Sequence, residues 1–344
     1  MKKQLKKIIK VLLVLIIAGA LIYVVGVTQG WFNKEDAKKV IKKLTPTVKK
    51  SNIKIIDEDS NQRPYAIMID NVSDARPQTG INKAYIVYEL MVEGGLTRLM
   101  AVFKDAKVDQ IGPVRSSRHY YLDYAMENDA IYIHYGWSPQ AQSDISSLKI
   151  NNLNGLANPS NMFWRDYTYH KGEHTAYTST EKINKAAENK GYRLTSDDSQ
   201  LLDYSEKSVS MDETKIANEI KISYSSGTKV TYKYDTESKV YLRYMNGYEH
   251  KETSSGQLKA KNIIAYNITY GKIANDVKGR QEMSNTGSGT GYYFTEGKYM
   301  EIKWSKSSRS SKTVYTDTNG KEIKVNDGNT YIQIYPTGQN ITIS

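Results

Sequence analysis

The sequence predicts an α+β protein, in which an α/β-like N-terminal domain with a mixed sheet (residues 63–205) precedes a mostly antiparallel β domain (residues 206–344). One transmembrane helix is predicted ahead of both domains. Three observations support this fold class: an uncharged apolar run near the N-terminus, alternating strand-like and helix-like segments up to residue 205, and short tyrosine-rich runs beyond it.

The apolar run VLLVLIIAGALIYVVGVTQGWF, residues 11–32, contains no charged residue. A helix of this length crosses a hydrocarbon core of about 30 Å, which predicts a single membrane span. Removal as a signal peptide is the competing interpretation, because Ala18-Gly19-Ala20 has the small residues of a cleavage site. Those residues lie in the middle of the run with apolar residues behind them, so an uncleaved anchor is favoured.

Residues 1–10 hold five lysines and no acidic residue, although a second lysine cluster follows the span from Lys34. The unopposed first cluster favours a cytoplasmic N-terminus under the positive-inside rule. We therefore expect a single-pass protein of the cell membrane, with a basic cytoplasmic tail over residues 1–10 and the bulk of the chain extracellular.

The net charge of +11 comes from the two ends of the membrane segment. From residue 55 onward the chain has 35 basic and 35 acidic residues. A neutral body lacks the basic footprint that phosphate contacts require, so no nucleic-acid partner is expected. The chain has no cysteine, which excludes disulfides, thiolate metal sites and a cysteine nucleophile.

Local patterns assign the elements of the first half in order. A stalk helix in EDAKKVIKKL and a polar linker are predicted within residues 33–62. Strands are predicted in YAIMID, AYIVYELMV, TRLMAVFK and AIYIHY, and helices in SSRHYYLDYAMEN and SPQAQSDISSL. A third helix, STEKINKAAENK, is expected to begin with a capping box at Thr178 and Glu181 and to end at Gly191.

The second half consists of β-branched and tyrosine-rich runs separated by turn signals, such as KVTYKYD, NIIAYNITY and TYIQIYP. Asn246-Gly247 and Asn319-Gly320 lie between such runs, and Asn-Gly is a strong hairpin signal. Counted separately, residues 55–205 carry a net charge of −5 and residues 206–344 carry +5, which favours contact between the two.

Two glutamates in VYELMVEGGLTRLMAVF are the first candidates for chemistry. Glu89 and Glu93 share a face in either a strand or a helix, and a turn at Gly94-Gly95 would bring Arg98 back towards Glu93. Charged groups of this kind usually pair with each other when they are buried. The alternative is a functional pair of carboxylates, which acts either in acid–base catalysis or as ligands of a hard metal ion.

The stretch IGPVRSSR places Arg115 and Arg118 after a Gly-Pro turn. A helix that begins near Ser116 would add free N–H groups and the positive end of a dipole, which suits an anion. That anion is either an external ligand or an internal carboxylate from Asp70, Glu89 or Glu93. We expect both arginines to face one polar cleft with Asp70, Arg76, Glu89 and Glu93.

His134 follows a buried strand, and His174 lies beside Glu173 in KGEHTAYT. Neither histidine has the spacing of a zinc site, so no metal site is predicted. GSGTG at residues 287–291 lacks the lysine of a phosphate-binding loop, and no serine has the motif of a nucleophile. No cofactor is expected.

Taken in order, IMIDN with ARPQTG, VYELMVEGGLTRLMAVF, IGPVRSSR, IHYGWSP and EHTAYT resemble the YerB-like family of bacterial envelope lipoproteins, a two-domain family of unknown function. The second half resembles its smaller C-terminal domain through VYLRYMNG and GSGTGYYFTEGKYMEIKWSK. The resemblance implies a membrane-tethered, extracytoplasmic protein, in a family some of whose members are connected with the regulation of peptidoglycan-synthesising enzymes in Gram-positive cells. Typical members carry a lipobox cysteine; this chain has none, so its tether is the predicted span.

These observations lead to two functional hypotheses. The first is a non-catalytic binding or regulatory factor whose partner is an envelope protein, such as a peptidoglycan synthase, or a wall polymer. The second is a hydrolase of wall glycan or peptide that uses Glu89 and Glu93, assisted by His134 or His174. The predicted ligand-binding set is Asp70, Arg76, Gln78, Glu89, Glu93, Arg98, Arg115, Arg118, His134 and Glu173.

Overall fold

The computed structural model of the chain describes residues 53–196 and 200–344. The predicted cytoplasmic tail, the predicted membrane span and residues 33–52 of the predicted stalk and linker lie outside these ranges. No helix within the two ranges combines the length and the apolar character that crossing a bilayer requires.

Strands dominate both halves of the described chain. The first half contains β1 (Tyr65–Ile69), β2 (Ile86–Met91), β3 (Thr97–Phe103), β4 (Ile131–His134), β5 (Asn152–Asn154), β6 (Trp164–Arg165), β7 (Ala176–Tyr177) and β8 (Asp203–Ser205). The second half contains β9 (Glu219–Ser223), β10 (Lys229–Asp235), β11 (Val240–Met245), β12 (Tyr248–Glu249), β13 (Lys251–Glu252), β14 (Gly256–Gln257), β15 (Lys259–Ala260), β16 (Asn262–Ile268), β17 (Tyr270–Lys272), β18 (Gln281–Met283), β19 (Gly287–Thr295), β20 (Lys298–Lys306), β21 (Val314–Thr316), β22 (Lys324–Asn326), β23 (Thr330–Pro336) and β24 (Ile341–Ile343).

The largest sheet has ten strands in the order β21-β20-β19-β16-β23-β2-β3-β1-β4-β5. It is mixed, because β23 runs parallel to both β16 and β2, whereas β3 is antiparallel to β1 and β2. The prediction of a mixed sheet is therefore confirmed. Both halves of the chain contribute strands to this one sheet, and they meet where β23 pairs with β2.

A second sheet, β12-β11-β10-β9-β24 with β15 also paired to β11, is antiparallel throughout. The predicted Asn246-Gly247 turn is confirmed, since it joins β11 to β12. Asn319-Gly320 also lies in a turn, in which the N–H of Asp317 donates to the carbonyl of Lys321. Short pairs complete the described fold: β13–β14, β17–β18, β6–β7 and the parallel β8–β22.

Both faces of the ten-stranded sheet are buried. In β1, Tyr65, Ile67 and Ile69 belong to one hydrophobic cluster, while Ala66 and Met68 belong to another. Successive side chains of a strand point to opposite faces, so the uninterrupted apolar runs of this sequence mark strands covered on both sides.

Helices are fewer and shorter than an α/β-like domain implies. The described α-helices are α1 (Tyr121–Glu127), α2 (Pro139–Ser147) and α3 (Thr180–Asn189), with short 3-10 turns at Ser73–Ala75, Ile81–Lys83, Glu93–Gly95, Pro159–Asn161 and Gly172–Thr175. The described chain is thus mostly β. The Ser138 side chain caps α2 by accepting from the N–H of Ala141.

Two predicted helix starts are wrong. The N-cap of α3 is Ser179, which accepts from the N–H of Lys182, and not Thr178, whose hydroxyl donates to the carbonyl of Met162. The first helix begins at Tyr121, and not near Ser116. Residues 115–117, at the predicted start of this helix, are extended because the N–H groups of Arg115 and Ser117 donate to the carbonyls of Met68 and Gly136.

Candidate functional site

Residues 114–117 form an extended segment between the end of β1 and the loop after β4. The N–H of Arg115 donates to the carbonyl of Met68 over 2.9 Å, and the N–H of Ser117 donates to that of Gly136 over 2.9 Å. These N–H groups are therefore already bonded, and they cannot act as the helix-end anion site that the sequence suggested. The segment still directs Arg115 and Arg118 into a polar region.

Arg115 joins two carboxylates from different loops. Its Nε lies 3.0 Å from Oδ2 of Asp70, and its Nη2 donates to Oε1 of Glu173 over 2.5 Å. The Nε group has no aligned acceptor, so its contact with Asp70 is an ion pair rather than a hydrogen bond. The hydrogen bond from Arg115 lowers the pKa of Glu173.

His174 completes this first group, since its Nδ1 lies 2.9 Å from the same Oδ2 of Asp70. The Asp70 side chain is 1% exposed, whereas that of Glu173 is 64% exposed. The group therefore extends from a buried acid at the end of β1 to an accessible acid at the surface. Internal pairing of Arg115, one of the two predicted alternatives, is the arrangement that the structure has.

Glu93 and Arg118 form a second, bidentate pair, with Nε–Oε1 and Nη2–Oε2 distances of 2.6 and 3.0 Å. The turn before β3 is made by Gly94 and Gly95, whose φ angles of 70° and 71° favour glycine. Burial opposes ionisation of Glu93, but the hydrogen bond and charge of Arg118 outweigh it and leave its pKa below the usual value.

Glu89 lies in a different place from Glu93. Its side chain is fully buried, and Oε2 accepts from Nη2 of Arg243 over 2.8 Å. Oε1 accepts from the Thr97 hydroxyl over 2.7 Å and from Nδ2 of Asn71 over 3.2 Å. The prediction that Glu89 faces one polar cleft with Arg115 and Arg118 is therefore wrong, because the fully buried carboxylate is enclosed by Arg243, Thr97 and Asn71.

Sequence reasoning missed Arg243 and His250, which complete this buried network. Nε of Arg243 donates to Nδ1 of His250 over 3.0 Å, and Nε2 of His250 lies 2.8 Å from Oε1 of Gln78. Burial and the charge of Arg243 hold the pKa of His250 well below its usual value. Arg243 occupies an inward-facing position of β11, where the alternation of VYLRYM predicts an apolar residue. A charged residue at a position predicted to be buried was the sequence signal that could have identified Arg243.

Gln78 links the buried network to the first group. Its Nε2 donates to the backbone carbonyl of Asp70 over 2.9 Å and to Oδ1 of Asn71 over 3.2 Å. A continuous set of ion pairs and hydrogen bonds thus runs from the surface pair of Arg115 and Glu173, through Asp70 and Gln78, to His250.

His134 is a core residue. Its side chain is fully buried, with Nδ1 2.8 Å from the carbonyl of Gly136 and Nε2 3.1 Å from Oδ1 of Asn152. Its ring packs against Tyr132 and Trp137. Burial lowers the pKa of His134 to about 4. The structure does not place it with the other predicted residues.

Two predicted arginines have no carboxylate within ion-pair distance in residues 53–196 and 200–344. Arg98 donates from Nη1 to the carbonyl of Ser116 over 2.6 Å, and Arg76 donates from Nε to that of Val72 over 3.3 Å. Burial lowers the pKa of both groups. A guanidinium has five N–H donors, so each retains donors for an acidic ligand.

The hairpin loop between β6 and β7, residues 166–175, forms one wall of the site. It supplies Glu173 and His174, and it contains Tyr167 and Tyr169, two residues that are 67% and 63% exposed. His170 fixes the loop, because its Nδ1 and Nε2 lie 3.0 and 2.9 Å from the carbonyls of Asp74 and Pro77. Exposed aromatic rings beside charged groups are typical of binding surfaces.

The described chain contains no group of three or more histidine, aspartate and glutamate side chains that could hold a metal ion. What the site offers is a surface of guanidinium, carboxylate and phenol groups. We refer to Arg98, Arg115 and Arg118 as the arginine cluster, since Arg115 belongs to the extended segment 114–117, Arg118 directly follows it, and Arg98 donates to the carbonyl of Ser116 within it.

Comparisons with known proteins give a consistent result. Residues 51–193 match the family described as "Protein of unknown function (DUF3048) N-terminal domain", and residues 220–332 match the corresponding C-terminal domain. The chain is 31% identical over 309 residues to a Bacillus subtilis protein named "Putative lipoprotein YerB", with 88% of each chain covered. It also superposes on the crystal structure of YerB from Bacillus subtilis with a TM-score of 0.71 and 31% identity, covering 82% of this chain and 94% of that one. On both sequence and fold, this chain belongs to the YerB-like two-domain family.

Proposed function

We propose that this protein is a membrane-anchored, extracytoplasmic envelope factor that regulates peptidoglycan synthesis by binding and not by catalysis. Its partner in this proposal is a peptidoglycan synthase or a wall polymer that presents an acidic group to the arginine cluster. The apolar run at residues 11–32 and the lipoprotein name of the Bacillus subtilis relative support the location.

One observation carries the binding proposal. Arg98 retains N–H donors without a carboxylate partner in the described chain, while Asp70, Glu93 and Glu173 are already engaged by Arg115 and Arg118. The cluster therefore contains a cation, 6% exposed, that has a backbone carbonyl but no carboxylate as its partner in the described chain. Arginine binds carboxylate and phosphate groups through paired N–H donors, which suits an acidic partner.

The same contacts disfavour the hydrolase hypothesis. A general acid or base must reach the substrate, within hydrogen-bond distance or through one water. Glu89 is enclosed with Arg243, His134 lies in the core, and Glu93 is held by both nitrogens of the Arg118 fork. Glu89 and His134 are thus fully buried, and Glu93, whose side chain is 21% exposed, already accepts two hydrogen bonds from Arg118.

The test is photocrosslinking in intact cells that make the full chain. Replacing Tyr169 with benzoylphenylalanine places the probe on the exposed loop beside the cluster, and the same replacement at Tyr248, 79% exposed on β12, is the matched control. We expect a specific adduct from position 169 and none from position 248.

Two further variants test whether formation of the adduct depends on Arg98. Arg98→Met is expected to abolish it, and Arg98→Lys, which keeps the charge, is expected to retain part of it. Thermal melting of each purified variant separates lost binding from lost folding. Identical adducts in Arg98→Met and in the unmodified protein, or turnover of a wall fragment by the purified chain, would contradict the proposal.

A further inference from the structure

A separate cleft lies at the β5 edge of the ten-stranded sheet, between α2 and residues 150–159. Its volume is about 530 Å³. The side chains that matter for its chemistry are Trp137, Gln142, Lys149, Asn152, Asn154 and Lys190. None of the predicted site residues lines it.

The cleft is positively charged. Lys149 and Lys190 are both exposed, and no aspartate or glutamate belongs to its lining. Within the described ranges, neither lysine has a carboxylate within ion-pair distance. Two ammonium groups that share a concave site without internal counter-ions favour a ligand with negative charge.

The walls of the cleft are fixed by contacts behind it. The Trp137 ring packs against the buried His134 ring at a centroid distance of 5.4 Å, and Nε2 of His134 lies 3.1 Å from Oδ1 of Asn152. Oδ1 of Asn154 accepts from the N–H groups of Gly136 and Leu156. Because its oxygen is engaged in this way, Asn154 directs only its NH₂ group to a ligand.

Together, these features indicate the chemical class of ligand that fits the cleft. A held indole offers a flat surface to the C–H face of a ring, amide groups bind hydroxyls, and ammonium groups bind an acid. An acidic peptide would use the charges but not the aromatic surface and the amides. A neutral sugar would leave both lysines unused.

We propose that this cleft binds an acidic saccharide, meaning a sugar that carries a carboxylate or a phosphate. The site is distinct from the arginine cluster and does not depend on the function proposed for it. Arg98 does not line the cleft, and Lys149 and Lys190 do not belong to the arginine cluster, so each proposal is tested by its own substitutions.

Binding is measured with the full chain in detergent, by tryptophan fluorescence and by calorimetry at low salt. The probes are tetragalacturonate and glucose 6-phosphate, with maltotetraose as the neutral sugar and polyglutamate as the acid without a sugar. We expect the two acidic sugars to bind and the two controls to bind at least roughly tenfold more weakly. The acidic sugar that binds more tightly shows whether the cleft prefers a carboxylate or a phosphate.

Substitutions test whether the sugars bind in this cleft. Lys149→Gln with Lys190→Gln is expected to weaken binding roughly tenfold or more, whereas Lys185→Gln, an exposed lysine of α3 outside the cleft, is expected to leave it unchanged. Trp137→Phe is expected to remove the fluorescence response while calorimetry still detects binding. The proposal is overturned if neither acidic sugar binds, if polyglutamate or maltotetraose binds equally well, or if the double lysine variant binds like the original chain.

Discussion

Among single residues, Arg243 makes the contact whose loss has the largest expected cost. Its guanidinium is fully buried, and it donates to Glu89, to His250 and to the Tyr232 hydroxyl. Removing two charges from water is unfavourable, and the pair is tolerated because hydrogen bonds occupy the remaining donors and acceptors. Loss of one partner leaves the other charge without compensation.

We therefore expect Arg243→Met to lower the free energy of unfolding by about 3 to 5 kcal/mol in urea titrations. The double variant Glu89→Gln with Arg243→Met removes both charges and is expected to recover part of that loss. A loss below about 1 kcal/mol for the single variant would mean that Glu89 finds another partner or takes up a proton at little cost.

A second prediction for a single residue concerns the loss of stability at acid pH, to which His134 contributes. The folded-state pKa of His134, about 4, lies below the value of about 6.5 expected in the unfolded chain. The unfolded state then binds more protons between these values, so the contribution of His134 is fully present above about pH 6.5 and is lost as the pH falls towards 4. The loss amounts to about 3 kcal/mol.

Urea titrations at pH 7.5 and pH 4.5 measure this effect. His134→Gln is expected to reduce the dependence of stability on pH, whatever its stability at neutral pH. The lowered pKa of His250 acts in the same direction and leaves a residual dependence in the variant. An unchanged pH dependence in His134→Gln would show that other groups cause the acid sensitivity.

At the scale of strands and helices, the sequence predicted those elements whose position depends on neighbouring residues in the chain. Apolar runs and Asn-Gly turns are local, and they placed β1, β3, β10 and β23 close to where they lie. The extended form of residues 114–117 depends on the carbonyls of Met68 and Gly136, which no local pattern contains. The same holds for Glu89 and Arg243, whose pairing joins β2 to β11 and could not be inferred from either strand.

The loop of residues 166–175 supplies the prediction at this scale. His170 is 3% exposed, and its contacts with the carbonyls of Asp74 and Pro77 hold the loop down. We expect His170→Ala to raise the rate of tryptic cleavage at Lys171 at least about fivefold, because loss of a hydrogen bond of about 1 kcal/mol increases the open population by that factor. Tyr169→Ala, which removes only an exposed ring, is the control and is expected to leave the rate unchanged. Equal rates in both variants would mean that other contacts hold the loop.

For the whole molecule, the shared ten-stranded sheet makes the two halves interdependent. Without residues 206–344, β2 would lose β23 and expose an unpaired edge in the middle of an apolar sheet. We expect residues 53–205 to aggregate when produced alone. Produced together as separate chains, residues 53–205 and 206–344 are expected to co-purify as a soluble complex. A stable soluble monomer of residues 53–205 would contradict this prediction.

The position of β23 also sets the timing of folding. Its pairing of Glu89 with Gln333 closes the centre of the sheet, yet β2 is synthesised long before β23. Sheets that depend on such distant pairings fold slowly, since the loop entropy is lost before the contacts form. A nascent chain of this protein therefore has no complete ten-stranded sheet until residues 330–336 are available, and until then β2 lacks the neighbour that separates it from the strands of the second half.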